Sequence, residues 1–307
     1  MADLTVGFVG LGSIGRRHLG NLVEACADRG LKAKVLALRH SSLTDLDKCV
    51  SSRLSGQFFS ADDMPPCDLL FICNPTQLHQ YAIEKMHGKS GKIFVEKPVF
   101  SRHLSGDELK GLGDLRRYRV ACPLRHTKTF SDLRNYVKAR RVYSARAICS
   151  SYLPEWRRGA DYRKLYCASA DSGGVVTDLI HEFDYLVSLF GFPMKSALYA
   201  PKVSNLEIDS PDLAVFIAEY ADKAVELHLD YFGRRAQRHC EVLSENETVT
   251  FDFLKEPGGM ESAYKAEMND FLNFALDDGP NANPLDFAND ILGMIQKCLE
   301  KSLKGDA

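Results

Sequence analysis

The run Gly10-Leu11-Gly12-Ser13-Ile14-Gly15 is the first place in this chain where residue type and spacing imply a ligand. It has the form G-x-G-x-x-G, which alone is a weak signal. Here an apolar run, residues 4–9, precedes it, and a helical pattern over 13–27 follows, stopped at Gly30. That strand-to-helix context is what the motif needs. Gly10 permits a tight turn, Gly12 lets the backbone approach a pyrophosphate, and Gly15 lets helix and strand pack closely. The helix N-terminus offers free N–H groups and the positive end of its dipole to phosphates. All six residues are expected to line a dinucleotide site.

Three further groups follow apolar strands. At the end of the second strand, residues 33–38, come Arg39, His40 and two serines, with no acid between Arg29 and Thr44. An acid near this point would hold a ribose 2′-hydroxyl, whereas a guanidinium fork suits a 2′-phosphate. NADP is therefore expected over NAD, with His40 assisting Arg39. Asn74-Pro75-Thr76 directly follows the run 68–73, with His79 one turn into the next helix. Strand carboxyl ends are where parallel sheets collect ligands; an ordinary strand-to-helix turn reads the same way. Glu96-Lys97-Pro98 ends the strand 91–96, and the proline biases Lys97 toward an extended backbone. A salt-bridged strand end is the other reading of that triplet.

The elements carrying these groups alternate strand and helix up to about residue 122, the pattern of a parallel sheet covered on both faces. The pattern then changes. A helix is expected over 130–138, a strand over 142–152, an aromatic and basic loop over 152–166, and one helix from Gly173-Gly174 to about Leu189. Strands follow over 196–203, 213–220, 224–231, 237–243 and 247–253, then helices over 263–276 and 284–302. The reading is two domains, 1–122 with a doubly wound α/β sheet and 123–307 of α+β type.

The ordered set of motifs, extended by Gly173-Gly174-Val-Val-Thr-Asp178-Leu-Ile-His181-Glu-Phe-Asp184, resembles the glucose–fructose oxidoreductase / inositol dehydrogenase / MocA family. The resemblance covers nearly the whole chain. It implies a Rossmann domain, then an α+β domain whose large open mixed sheet forms homodimers or homotetramers. It also implies that Glu96 and Lys97 belong to the cofactor site, with Lys97 beside the nicotinamide and the substrate hydroxyl. Asp178 and His181 map to the family's Asp and His on the helix after the glycine pair. Many relatives space those two residues four apart, and here they are three apart; both spacings put a pair on one helix face.

In that setting the chemistry is transfer of a hydride and a proton between a secondary alcohol and a carbonyl. The cofactor handles the hydride. His181 is the expected base for the hydroxyl proton, Lys97 stabilises the developing alkoxide or relays the proton, and Asp178 orients the imidazole or binds substrate.

The loop from Tyr152 through Trp156, Arg157, Arg158 and Tyr162 to Tyr166 mixes aromatics with cations, and holds few acids. Flat rings stack on sugars or bases, and guanidinium forks clamp phosphate or carboxylate. Tyr152, Trp156, Arg157 and Tyr162 are thus expected to bind a polar, anionic substrate, such as a nucleotide sugar or acidic sugar. An interdomain or oligomer loop is the alternative. This loop also resembles a branch of the family from surface-polysaccharide pathways. Arg125 matches a family position near substrate; a hinge charge is its other reading. Two rival functions are a biliverdin-reductase-like or dihydrodiol dehydrogenase-like enzyme, and a dinucleotide sensor without catalysis. Lys97 and His181 together argue against the sensor.

Composition excludes other classes. The 39 Lys and Arg against 41 Asp and Glu leave a net charge of −2, and no nucleic-acid reading motif is present. No apolar run approaches the roughly 20 residues that cross a bilayer, and the N-terminus lacks the basic region of a signal peptide. The nine Cys form no C-x-x-C and no Cys/His ligand spacing. Reduced, packed thiols, no metal and a cytoplasmic location are expected.

Overall fold

A computed structural model describes residues 3–40, 46–157, 159–170 and 173–304. The chain divides into two compact units, Met1–Ala121 with Tyr264–Asp290, and Cys122–Ala263 with Ile291–Ala307.

In the first unit six strands pair in parallel: β1 (Asp3–Val9), β2 (Lys32–Leu38), β3 (Gly56–Phe58), β4 (Cys67–Ile72), β5 (Ser90–Val95) and β6 (Tyr118–Val120). Their order is β3-β2-β1-β4-β5-β6. It reverses direction between β1 and β4, so the crevice at the carboxyl ends of these two strands is where such a sheet takes a ligand. Strand β4 shows why the sheet is covered: Leu69, Leu70, Phe71 and Ile72 are all buried, as expected for a strand packed on both faces. Helix α1 (Ser13–Asp28) follows β1 and buries Leu19, Leu22, Ala25 and Cys26 at helical spacing. Three shorter helices are α2 (Lys48–Ser51), α3 (His79–Met86) and α4 (Gly106–Lys110).

The sequence division gave residues 264–290 to the second domain. They pack in the first unit instead, for an aromatic reason. Phe8 stacks on Phe71 with centroids 4.6 Å apart, and Phe271 meets Phe71 and Phe94 edge-on at 5.3 and 5.2 Å. Arg119, wholly buried, ion-pairs with Asp270 and lies 5.5 Å over the ring of Phe274. Asn289 closes the segment by accepting from the Leu104 N–H at 2.8 Å and donating to its carbonyl at 3.0 Å.

The second unit carries β7 (Val142–Tyr152), β8 (Lys195–Tyr199), β9 (Leu213–Glu219), β10 (Ala224–Asp230), β11 (Phe232–Ser244) and β12 (Thr248–Asp252). Their order is β12-β11-β7-β10-β9-β8, with β7 and β10 parallel and the other neighbours antiparallel. Alternation sets the faces: Ala145, Ala147 and Cys149 of β7 point into the core, while Ile217 and Tyr199 stand exposed on the outer face. Helix α5 (Lys128–Ala139) precedes the sheet. The single helix expected after the glycine pair is two, α6 (Val175–Asp178) and α7 (Ile180–Phe190), broken at Leu179 with φ −95° and ψ 25°. The β-branched run Val175-Val176-Thr177 weakens helix formation at that end. Helices α8 (Gly259–Leu276) and α9 (Leu285–Lys304) close the chain. No disulfide joins any of the nine cysteines, and eight of them are buried. Among the described residues no helix is long and apolar enough to cross a membrane.

Candidate active site

The glycine loop divides its labour as the motif requires. Gly10 has φ +91°, and a Cβ there would lie 2.8 Å from Asn74 Cα. A Cβ on Gly15 would lie 2.4 Å from the Gly10 carbonyl oxygen. A Cβ on Gly12 would meet nothing within 4 Å. So Gly10 and Gly15 serve the protein's own packing, and Gly12 faces open space. Gly12 is also the N-cap of the 16-residue α1 and makes no side-chain cap, which leaves the helix N–H groups for an outside acceptor. Leu11 and Gly15 are buried, Ile14 is half-buried, and Gly12 and Ser13 are exposed. Arg16 braces the loop, donating Nε to the Leu11 carbonyl at 3.0 Å and Nη1 to Asp47 at 2.6 Å. These features fit a dinucleotide pyrophosphate.

Arg39 stands at the end of β2, half-buried, with Nη1 donating to Gln57 Oε1 at 2.7 Å. His40 is exposed. Ser41 and Ser42 lie outside the described residues.

At the ends of β4 and β5 two turns are tied together from beneath. Asn74 Nδ2 donates to the Leu78 carbonyl at 3.2 Å; Pro75 is exposed and Thr76 buried. His79 is only 1% exposed. Its ring nitrogens lie 2.9 Å from the Asn74 carbonyl and 3.1 Å from the Val99 carbonyl. Burial pushes its pKa down despite those bonds and the charge of Glu96. The neutral ring has one N–H, so it donates to one of the two carbonyls at a time. His79 therefore staples the Asn74-Pro75-Thr76 turn to the segment after Lys97.

Glu96 is buried too. Its Oε1 lies 2.5 Å from His18 Nε2, and its Oε2 accepts the Lys97 backbone N–H at 3.0 Å. Burial alone would raise the carboxyl's pKa; His18 and the charge and N–H of Lys97 overcome it and hold it below the ordinary value. Lys97 itself is half-buried and is joined to Pro98 by a cis peptide. Sequence reasoning missed His18. The available signal was a polar residue on the buried stripe of α1, three residues after Gly15 and four before Leu22.

In the second unit Asp178 ends α6 and His181, half-buried, lies in the first turn of α7. The Tyr231 hydroxyl donates to Asp178 Oδ2 at 3.4 Å, and Trp156 meets the Tyr231 ring edge-on at 5.3 Å. Burial and the neighbouring Asp178 push the Tyr231 phenol well above its usual pKa, so it stays a donor. Trp156, 38% exposed, donates Nε1 to Ser151 Oγ at 3.0 Å. Arg234 lies 3.7 Å over the ring of Tyr152. Thus Trp156 and Asp178 meet through Tyr231, which the sequence gave no reason to single out beyond its place at a strand end. Tyr162 is engaged elsewhere, its hydroxyl accepting the Glu207 N–H at 3.2 Å. Arg157 is exposed, and Arg158 lies outside the described residues. Arg125 is held by Asp184, its Nε 2.7 Å from Oδ2.

Residues 4–117 match the oxidoreductase family with an NAD-binding Rossmann fold, and residues 150–242 match the same family's C-terminal alpha/beta domain. The chain belongs to the Gfo/Idh/MocA family. This Gfo/Idh/MocA protein is accordingly an oxidoreductase with an NAD-binding first domain. No curated protein sequence gives a significant match. Solved structures share its fold. One is myo-inositol 2-dehydrogenase from Lactobacillus plantarum, 18% identical, TM-score 0.81, covering 99% of this chain and 98% of that one. A second is the WlbA dehydrogenase from Bordetella pertussis in complex with NADH and UDP-GlcNAcA, 16% identical, TM-score 0.79, covering 99% and 96%. A levoglucosan dehydrogenase in complex with NADH and levoglucosan is 14% identical, TM-score 0.79, covering 98% of each.

Proposed function

We propose that this enzyme oxidises or reduces a secondary alcohol or carbonyl on a sugar or cyclic polyol bearing an anionic group, with NADP as the preferred cofactor. The nicotinamide, when bound, accepts or supplies the hydride. The glycine loop, Asn74 and Thr76 hold the dinucleotide, and Arg39 takes the 2′-phosphate as a charge-assisted fork. Lys97 stabilises the charge that develops on the substrate oxygen. His181 takes the hydroxyl proton in oxidation and returns it in reduction. Asp178, steadied by the Tyr231 hydroxyl, binds a neighbouring substrate hydroxyl.

The observation that carries the substrate reading is the exposed ring of Trp156, seated edge-on against the buried Tyr231, whose hydroxyl reaches the Asp178 carboxylate. Sugars are held by that pairing of a flat apolar face with a directional polar group. Arg234 on Tyr152, with exposed Arg157, adds the cations an anionic substituent needs. Of the ligands in the structural relatives, UDP-GlcNAcA is an anionic sugar derivative of the kind proposed, and levoglucosan is a neutral sugar.

The test is turnover of NADPH and NADH with myo-inositol, levoglucosan and UDP-GlcNAcA in parallel. Turnover of one of them, lost by at least about 100-fold in both Lys97→Ala and His181→Ala while dinucleotide still binds, supports the roles. Near-normal turnover in both variants removes them. Tighter binding of NADPH than NADH, reversed in Arg39→Asp, supports the cofactor preference; tighter NADH binding in the unaltered enzyme ends it.

A further inference from the structure

His18 is fully buried, ringed by Phe94 at 5.0 Å, Tyr264 at 6.0 Å and Phe71 at 6.2 Å. An apolar side chain would fill such a place at no polar cost. The histidine spends Nε2 on Glu96 at 2.5 Å, and its Nδ1 has no hydrogen-bond partner among the described residues. A buried polar atom left unpaired is destabilising. The residue therefore costs the fold something, and the one directed contact it makes in return is to Glu96. Glu96 in turn has no surface role: it is buried, and its second oxygen takes the backbone N–H of the next residue, Lys97.

We propose that His18 and Glu96 form a positioning pair for Lys97: the imidazole fixes the carboxylate, and the carboxylate fixes the Lys97 backbone and sets the electrostatic surroundings of its ammonium. Neither residue touches substrate. The inference rests on the reading of Lys97 as the group at the reacting centre, and it extends the catalytic apparatus back through Glu96 into helix α1.

The experiment compares Glu96→Gln, Lys97→Ala and the double variant, with NADPH binding by fluorescence as the check on the site. A second readout needs no turnover: trace acylation of Lys97 by acetic anhydride, located by mass spectrometry. Glu96→Gln is expected to lose at least about tenfold in kcat with the substrate KM little changed, the loss being read at saturating NADPH. The loss should vanish in the Lys97→Ala background, because a residue that acts through another adds nothing once that other is gone. The acylation rate of Lys97 should change by at least about threefold while other lysines keep theirs. His18→Phe, which keeps a ring and removes the donor, should behave like Glu96→Gln; His18→Gln, which keeps a donor, should recover most of the unaltered acylation rate. An unchanged Lys97 acylation rate in Glu96→Gln or His18→Phe overturns the proposal. So does a kcat loss that repeats in full on the Lys97→Ala background. Full activity in Lys97→Ala itself would instead overturn the catalytic reading of Lys97, and the acylation comparison would still decide whether the pair acts on it.

Discussion

The guanidinium of Arg125 closes on the carboxylate of Asp184 as a two-point fork, Nε 2.7 Å from Oδ2 and Nη2 2.8 Å from Oδ1. Nη2 also reaches the Asp184 backbone carbonyl at 3.2 Å. The two side chains are 10% and 12% exposed. Burial disfavours the charge on Arg125, and Asp184 more than restores it. In the sequence Arg125 reads as a substrate contact or a hinge charge; the fork gives it, with Asp184, a part in holding the segment before α5 to helix α7.

Breaking such a pair from one side leaves a buried charge without its counter-ion, which costs about 3–5 kcal/mol. Arg125→Ala is therefore expected to lower the unfolding free energy by about that amount, read from urea midpoints at constant m-value. Arg125→Met combined with Asp184→Leu should recover most of the loss, because both charges leave together. If the double variant is as unstable as the single one, the ion pair is not what stabilises this contact.

The glycine loop separates packing from binding. Alanine at 15 drives its Cβ to within 2.4 Å of the Gly10 carbonyl oxygen, a backbone atom that cannot swing aside. Overpacking of this kind costs about 1–3 kcal/mol or more, so Gly15→Ala should lose both stability and dinucleotide binding. Alanine at 12 meets nothing. Gly12→Ala should keep the thermal midpoint nearly intact, losing less than about 1 kcal/mol at the helix cap. Its dinucleotide affinity should still fall by at least about tenfold, or 1.4 kcal/mol, because the methyl occupies the approach of the pyrophosphate. Calorimetry beside an NADPH fluorescence titration checks the pair, and equal affinity in Gly12→Ala would place the phosphates elsewhere.

The first unit was legible because its signals are local. A short apolar run, a glycine motif and a helical stripe specify strand, turn and helix within a few residues of one another, and β4 reads as an interior strand from composition alone. What could not be read was whatever needs two distant segments. The return of 264–290 depends on Phe271 finding Phe71 and Phe94, about 180–200 positions away in the chain. The break at Leu179 was hidden because Val175 to Leu186 still carries a helical pattern across it. His79 and His18 show the same limit at the site. Their type announced polar chemistry, but only burial shows that one is spent on backbone carbonyls and the other on Glu96. Tyr231 became visible only when Trp156 and Asp178 were found on either side of it.

The buried carboxylate of Glu96 also sets an acid limit. Its pKa in the folded protein is held below the ordinary 4.5. A carboxyl that ionises more readily when folded stabilises the native state in full above its unfolded pKa. That contribution drains away as the pH falls through the ordinary value toward the folded one. Glu96→Gln lacks a titrating group and so lacks this term. The unaltered protein should be the more stable of the two near about pH 7, and the gap should narrow on going to about pH 3.5. Urea unfolding of both proteins across that range reads the gap directly. A difference that stays constant with pH would mean that Glu96 contributes hydrogen bonds and volume but no charge.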